Sequence, residues 1–314
     1  MLAQLSEAYP NEVRIVIRDL PLNSIHDKAS LAAQATHAAG IQGKFMEVHD
    51  ALYEKQAEWS QKTVDDFKLY LSELAGELGL DVAQFESDLT SDAVVKIVND
   101  SIAAYEKTGL EFSTPNLIIN YLPYGGRNDL ESLKGLVKLM ELPARGFTAC
   151  PPTIIEPGKT YEATLKTTKG DIVIELFADK APTTVNSFIY LAQQGWFDNV
   201  PFHRVIAGFV AQTGDPSGTG LGSPGFNYGV EIQPDLGFDK AGMVGMARGG
   251  DPASNGSQFF ITLDAVTDLN GQYTVFGQVT SGMDVVAKLT LRDAQRDPEL
   301  ALADEIISVT ITEK

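Results

Sequence analysis

Cysteine is almost missing from the 314-residue sequence, where Cys150 stands alone. A single thiol closes no internal disulfide, makes no CxxC redox pair and completes no thiolate zinc site. Basic clusters are missing as well. The formal net charge is −18, with 13 Lys and Arg against 22 Asp and Glu in residues 1–150 and 11 against 20 in the remainder. Both halves are evenly acidic and repel a phosphate backbone, which excludes nucleic acid as an expected partner. No apolar run approaches the ~20 residues that span a bilayer. The opening MLAQLSEAYPNE lacks the basic start, apolar core and small-residue cleavage site of an export signal, so the chain as written is expected in the cytoplasm.

What is present is globular composition, 44% hydrophobic and 21% charged, at a length that suits two domains. The first half reads as helices around a few strands. VRIVIRDL (13–20) has the alternating branched residues of a strand, ended by Pro21. HDKASLAAQATHAAG is helical up to Gly40, and GKFMEVHDALYEKQ places Phe45, Val48 and Leu52 on one helix face. TVDDFKLYLSELAGELG and DVAQFESDLTSDAVVKIVNDSIAAYEKTG predict two further helices, the second with Asp81 as N-cap. NLIINYLPYGG (116–126) reads as a strand entering a turn, and DLESLKGLVKLMEL as a closing helix. Pro143, Gly146, Pro151, Pro152, Pro157 and Gly158 then cluster as in a linker. The expected division is 1–142, a linker over 143–159, and 160–314.

Beyond the linker the texture changes to short strands and glycine turns, from YEATLKTT and GDIVIELF to TVFGQV and IISVTITE, with helical patterns at APTTVNSFIYLAQQG and MDVVAKLTL. That density of strands suggests an antiparallel barrel. One residue stands out: Arg204 lies in FHRVIAGFVAQTGD among Phe202, Val205, Ile206, Phe209 and Val210, with Gln212 eight positions on. A buried guanidinium without a partner is costly. The glycines of GDPSGTGLGSPG fail the P-loop spacing and read as turn formers. His26, His37 and His49 are spread over helices with no ligand spacing, and read as surface or half-buried residues.

KGDIVIELFADKAPTTVNSFIYLAQQGWFDNVPFHRVIAGFVAQTGDPSGTG, GMVGMAR, NGSQFFIT and YTVFGQV, in that order, resemble the cyclophilin family of peptidyl-prolyl cis-trans isomerases over residues 160–314. The resemblance implies an eight-stranded barrel capped by two helices, with a groove on its outer face for proline-containing peptides and no metal or cofactor. It implies catalysis by Arg204 as the donor to the prolyl nitrogen, with Gln212 holding the guanidinium and the substrate carbonyl in register and Phe209 beside them. Phe209, Val210, Phe260 and Leu269 would form the proline slot. Backbone at Ala247 and Arg248 would pair with the substrate chain, His203 and Gln258 would line or support the groove, and Tyr273 would donate through its hydroxyl. Asp268 departs from the pattern, because relatives carry an aromatic there that also supports cyclosporin. The alternative is a non-catalytic module that holds proline-containing peptides, with the first domain as a chaperone-like scaffold.

YPNEVRIVIRDLPL, HDKASLAAQATHAAGIQGKFMEVHDALYEKQ and FSTPNLIIN resemble a second family, the DsbA-like thiol oxidoreductases of thioredoxin fold, with Thr114-Pro115 at the family's cis-proline. No residue matches the redox cysteines, so no redox function carries over. The family's first strand and the helix bearing its CxxC are absent from the sequence. Either the start lies upstream, which would put the protein outside the cytoplasm, or the remaining strands close the sheet differently and the domain holds peptides or acts as a spacer.

Overall fold

In the computed structural model, which describes residues 1–297 and 299–314, helix α1 (Leu2–Ala8) precedes a helical region formed by α2 (Ala29–Ile41), α3 (Phe45–Glu54), α4 (Gln56–Trp59), α5 (Val64–Glu77), α6 (Val82–Leu89) and α7 (Asp92–Glu106). Short polar side chains set the starts of α5, α6 and α7. Thr63 accepts from the Asp66 N–H, Asp81 from the Gln84 N–H and Ser91 from the Val94 N–H. The Asp81 cap is as expected, but Ser91 caps a second helix inside what reads as one. A serine that bonds the backbone locally competes with helix continuation. Phe67, Leu71 and Phe85 pack with Ala35, Ala38 and Ala39 in this region's core.

The expected strands fare differently. Residues 13–20 form no ladder, and within 116–126 only β1 (Ile118–Ile119) and β2 (Leu122–Pro123) pair, as a two-residue antiparallel ribbon. Alternation can mark a face that could be buried, yet a strand also needs a neighbour for its N–H and C=O groups. Among the described residues 13–20 has none, and Ile15 and Val16 are 37% and 55% exposed. Thr114–Pro115 is cis.

Helix α8 (Leu130–Arg145) begins at Asp129, which accepts from the Ser132 N–H, and the rest of the chain is dominated by strands. These are β3 (Tyr161–Thr167), β4 (Gly170–Leu176), β5 (Val200–Pro201), β6 (Arg204–Val205), β7 (Val210–Thr213), β8 (Met243–Met246), β9 (Phe259–Thr262), β10 (Val275–Ser281) and β11 (Glu305–Glu313), with helices α9 (Pro182–Gln193) and α10 (Met283–Val286) between them. They form one antiparallel sheet in the order β5-β11-β3-β4-β10-β8-β9-β7-β6. Its inner face buries Phe188 and Phe197 against Phe259 and Phe276.

The backbone divides into two compact units, Ile15–Gly125 and Met1–Arg14 with Gly126–Lys314. Helix α8 thus belongs with the barrel, because Leu142 is buried in the barrel core with Leu139 packed against it. The proline-rich segment after it is also laid on the barrel. Phe147 packs edge-on against Tyr190 and Phe226, while the buried Asn186 accepts from the Ile154 and Ile155 N–H groups and donates to the Pro152 carbonyl. Composition marks such a segment as unable to continue a helix or strand, and leaves open what its side chains touch.

Candidate active site

Cross-strand pairing builds the site. Arg204 on β6 is opposite Gln212 on β7, Gln212 is opposite Phe260 on β9, and Phe260 is opposite Gly245 on β8. Directly paired residues share a face of the sheet, so Arg204, Gln212 and Phe260 stand in one row. Side chains alternate along each strand, which puts Ala211, Phe259 and Ile261 in the barrel core and Val210 and Phe260 in a second apolar cluster on the other face. Phe209, Ala247, Leu269 and Tyr273 pack against that cluster. Gly245 makes room for it: a Cβ there would lie 2.5 Å from Phe260 Cζ and 2.7 Å from the Phe238 ring.

Arg204 is at the edge of this surface with its side chain 32% exposed, not fully buried as its apolar neighbours suggest. Its guanidinium carbon is 5.6 Å from the centre of the Phe209 ring, and Asp293 Oδ2 approaches Nε at 3.9 Å. Among the described residues no protein acceptor hydrogen-bonds its N–H groups. Gln212 is held firmly: its Nε2 donates to Gln258 Oε1 at 3.0 Å, and Gln258 Nε2 donates to the Gly220 and Gly222 carbonyls at 2.9 and 3.1 Å.

The glycine-rich loop wraps a buried carboxylate. Asp215 accepts from the N–H groups of Ser217, Gly220 and Gly222 and from the Ser217 hydroxyl, and a Cβ at Gly222 would sit 1.9 Å from Asp215 Oδ1. Those amides already serve an anion supplied by the chain, consistent with turn formers. Next to this loop, His203 is buried, and among the described residues neither ring nitrogen has a partner. Burial lowers its pKa from 6.5 to about 4 against the pull of Asp215, while Arg292 and Arg204 repel the charged form. Burial thus keeps the imidazole neutral and away from the exposed surface.

Residues 163–311 match the family of cyclophilin type peptidyl-prolyl cis-trans isomerases. A peptidyl-prolyl cis-trans isomerase-like 1 protein of Rhizopus delemar is 44% identical over 149 residues, covering 46% of this chain and 90% of that protein. The chain belongs to the cyclophilin-type isomerases. A peptidyl-prolyl cis-trans isomerase of Helicobacter pylori is 44% identical over 140 residues, 44% of this chain and 85% of that one. A solved cyclophilin-type isomerase from Cryptosporidium parvum is 33% identical, covers 49% of this chain and 98% of its own, and has a TM-score of 0.46. Residues 1–139 match a thioredoxin family, so the layout is a thioredoxin-like domain followed by a cyclophilin domain.

Within the cyclophilin domain, Tyr273 meets Phe260 edge-on at 5.8 Å and lies under the Arg248 guanidinium at 4.9 Å. Arg248 Nε donates to the Gln272 carbonyl, and the Ala247 N–H donates to the Gln258 carbonyl. Asp268 is exposed on the 3₁₀ turn Thr267–Leu269. The sequence reading missed Asp293, whose Oδ2 lies 3.9 Å from Arg204 Nε. It lies 89 residues further on in a stretch with no strand or helix pattern, and nothing local marks it.

Proposed function

We propose that the cyclophilin domain isomerises X-Pro bonds of unfolded or flexible polypeptides, with Arg204 as the principal catalytic group. The observation that carries this reading is a guanidinium with unengaged donors, in one cross-strand row with Gln212 and Phe260 at the edge of an apolar cluster. An X-Pro bond faces a barrier of ~18–20 kcal/mol because the nitrogen lone pair is conjugated with the carbonyl. In the twisted transition state that lone pair is freed, and an Arg204 N–H donating to it stabilises the twisted form over either planar one. Arginine suits the task because it stays charged and offers rigid donors.

Phe209, Val210, Phe260 and Leu269 take the proline ring. Gln212, its amide fixed by Gln258, addresses the substrate carbonyl, and the Tyr273 hydroxyl is a further donor. The Ala247 N–H is engaged by the Gln258 carbonyl, so an added substrate strand would use the Ala247 carbonyl and Arg248 backbone. His203 supports Arg204 from beneath. The fold we infer is an eight-stranded barrel capped by α9 and α10. Its support is that β5 and β6, at the two ends of the sheet order, are separated in the chain by Phe202 and His203 alone, so that as one bent strand they join those ends. A division at 143–159 has as its support that one family match ends at 139 and the other begins at 163, although α1 and α8 pack in the same unit as the barrel. Residues 1–142, in which no cysteine occurs, serve as a scaffold or spacer for the isomerase.

The test is the cis-to-trans rate of a short X-Pro peptide with wild type and Arg204→Ala. Loss of a positioned donor to a developing charge costs about a hundredfold or more. That loss in kcat/KM, with peptide still bound, is expected. An unaltered rate in the variant refutes the assignment. If neither protein accelerates the reaction while both bind peptide, the domain is a binding module, a reading that the exposed Asp268 in place of an aromatic wall favours.

A further inference from the structure

We propose that Asp293 is a positioning residue for Arg204, holding the guanidinium from the side opposite the substrate; this rests on the reading of Arg204 as the catalytic group. The backbone brings the two together. Val205 and Arg292 form an antiparallel bridge, with the Val205 N–H donating to the Arg292 carbonyl at 2.7 Å and the Arg292 N–H to the Val205 carbonyl at 2.9 Å. In that register residue 293 falls beside residue 204.

Asp293 is also locked in place. Its N–H donates to Asp297 Oδ2, its carbonyl accepts from the Arg296 and Asp297 N–H groups, and its Oδ1 accepts from the Gln295 N–H at 3.0 Å. The turn is tied down in turn, because Arg127 donates to the Asp297 carbonyl at 2.6 Å.

That leaves Oδ2. Asp293's side chain is 7% exposed, and Oδ2 is buried with no hydrogen-bond donor on it among the described residues. The cations facing it are Arg204 Nε at 3.9 Å and Arg296 Nε at 3.6 Å, and the Arg296 side chain is 73% exposed. A desolvated carboxylate oxygen attracts the guanidinium that is best shielded from water, which is Arg204. The attraction acts at Nε, and the Phe209 ring restrains the guanidinium carbon at 5.6 Å. Held at these two points, the side chain loses rotamers that would carry its terminal N–H groups off the prolyl nitrogen. A displacement of about 1 Å in such a group costs roughly a hundredfold in rate.

The experiment compares wild type, Asp293→Ala, Asp293→Asn, Arg204→Ala and the double variant Arg204→Ala/Asp293→Ala in the X-Pro peptide assay, with ¹⁵N spectra of the Arg204 Nε–Hε group. Asp293→Ala is expected to lower kcat about tenfold or more with KM little changed, and Asp293→Asn, whose single acceptor oxygen stays with the Gln295 N–H and turns an NH2 group toward Arg204, to lower kcat as well. The Arg204 Nε–Hε resonance should shift in both. The double variant should be no slower than Arg204→Ala, because Asp293 acts only through that side chain. If Arg204→Ala retains activity, it is the catalytic assignment that fails, and the positioning role with it. If Arg204→Ala is inactive while Asp293→Asn keeps wild-type kcat and the Nε–Hε resonance stays in place, the positioning role alone is overturned. Asp293→Asn preserves the turn's hydrogen bonds, so it decides the question even where the alanine variant does not fold.

Discussion

His203 gives the cyclophilin domain an acid-sensitive stability that can be worked out from its surroundings. The imidazole is buried, neither nitrogen has a partner among the described residues, and burial lowers its pKa from 6.5 to about 4. Between those values the unfolded chain binds a proton that the folded chain does not. Stability from this group is therefore fully present above the unfolded value and is lost as the pH falls toward the folded one. At about 1.36 kcal/mol per pKa unit the full effect is about 3 kcal/mol, and most of it should be gone at pH 4.5. Asp129 and Asp304, whose carboxyls are held below 3.8 by hydrogen bonds from Ser132 and Thr290 against the cost of burial, lose their contributions below that value, outside this window. Trp59→Phe leaves Trp196, buried in the barrel core, as the sole indole reporting on this domain. Denaturant titrations of that protein from pH 7.5 to 4.5, with and without His203→Gln, measure the effect. The parent should lose about 2–3 kcal/mol more than the glutamine variant over this range. Parallel losses in the two would refute the assignment of the pH dependence to His203.

Two further substitutions test the groove. Gly245→Ala puts a methyl 2.5 Å from Phe260 Cζ and 2.7 Å from Phe238, two rings with almost no exposure, so about 1–3 kcal/mol of barrel stability should be lost and KM should rise as Phe260 moves. Unchanged denaturation and KM would remove Phe260 from the proline slot. Asp268→Trp adds an apolar wall beside Leu269, and covering roughly 50 Å² of substrate at about 25 cal/mol per Å² predicts about an eightfold lower KM, with stronger cyclosporin inhibition than the weak effect expected of the wild type. Peptide titration and inhibition curves check it, and an unaltered KM would show that position 268 does not face bound substrate.

The two faces of β7 were legible because their signal is local. The alternation Val210, Ala211, Gln212, Thr213 already sorts the strand into an outer face and a core face, and the packing follows that sorting. The same logic misled at residues 13–20, where alternation describes a strand but the partner that would make it one is a non-local matter. Helix α8 makes the point from another side: its apolar face was readable, yet which core receives Leu142 depends on packing against residues far along the chain. Arg204 combines both cases. Its place on an apolar strand raised the question of a partner, and its neighbours pointed to the groove. The carboxylate that faces it is Asp293, brought there by a two-bond bridge between Val205 and Arg292. A periodic pattern can show which face a side chain takes; only the closing of a distant loop decides what charge meets it there. The carboxylate that meets an arginine is for that reason harder to read in a sequence than the arginine itself.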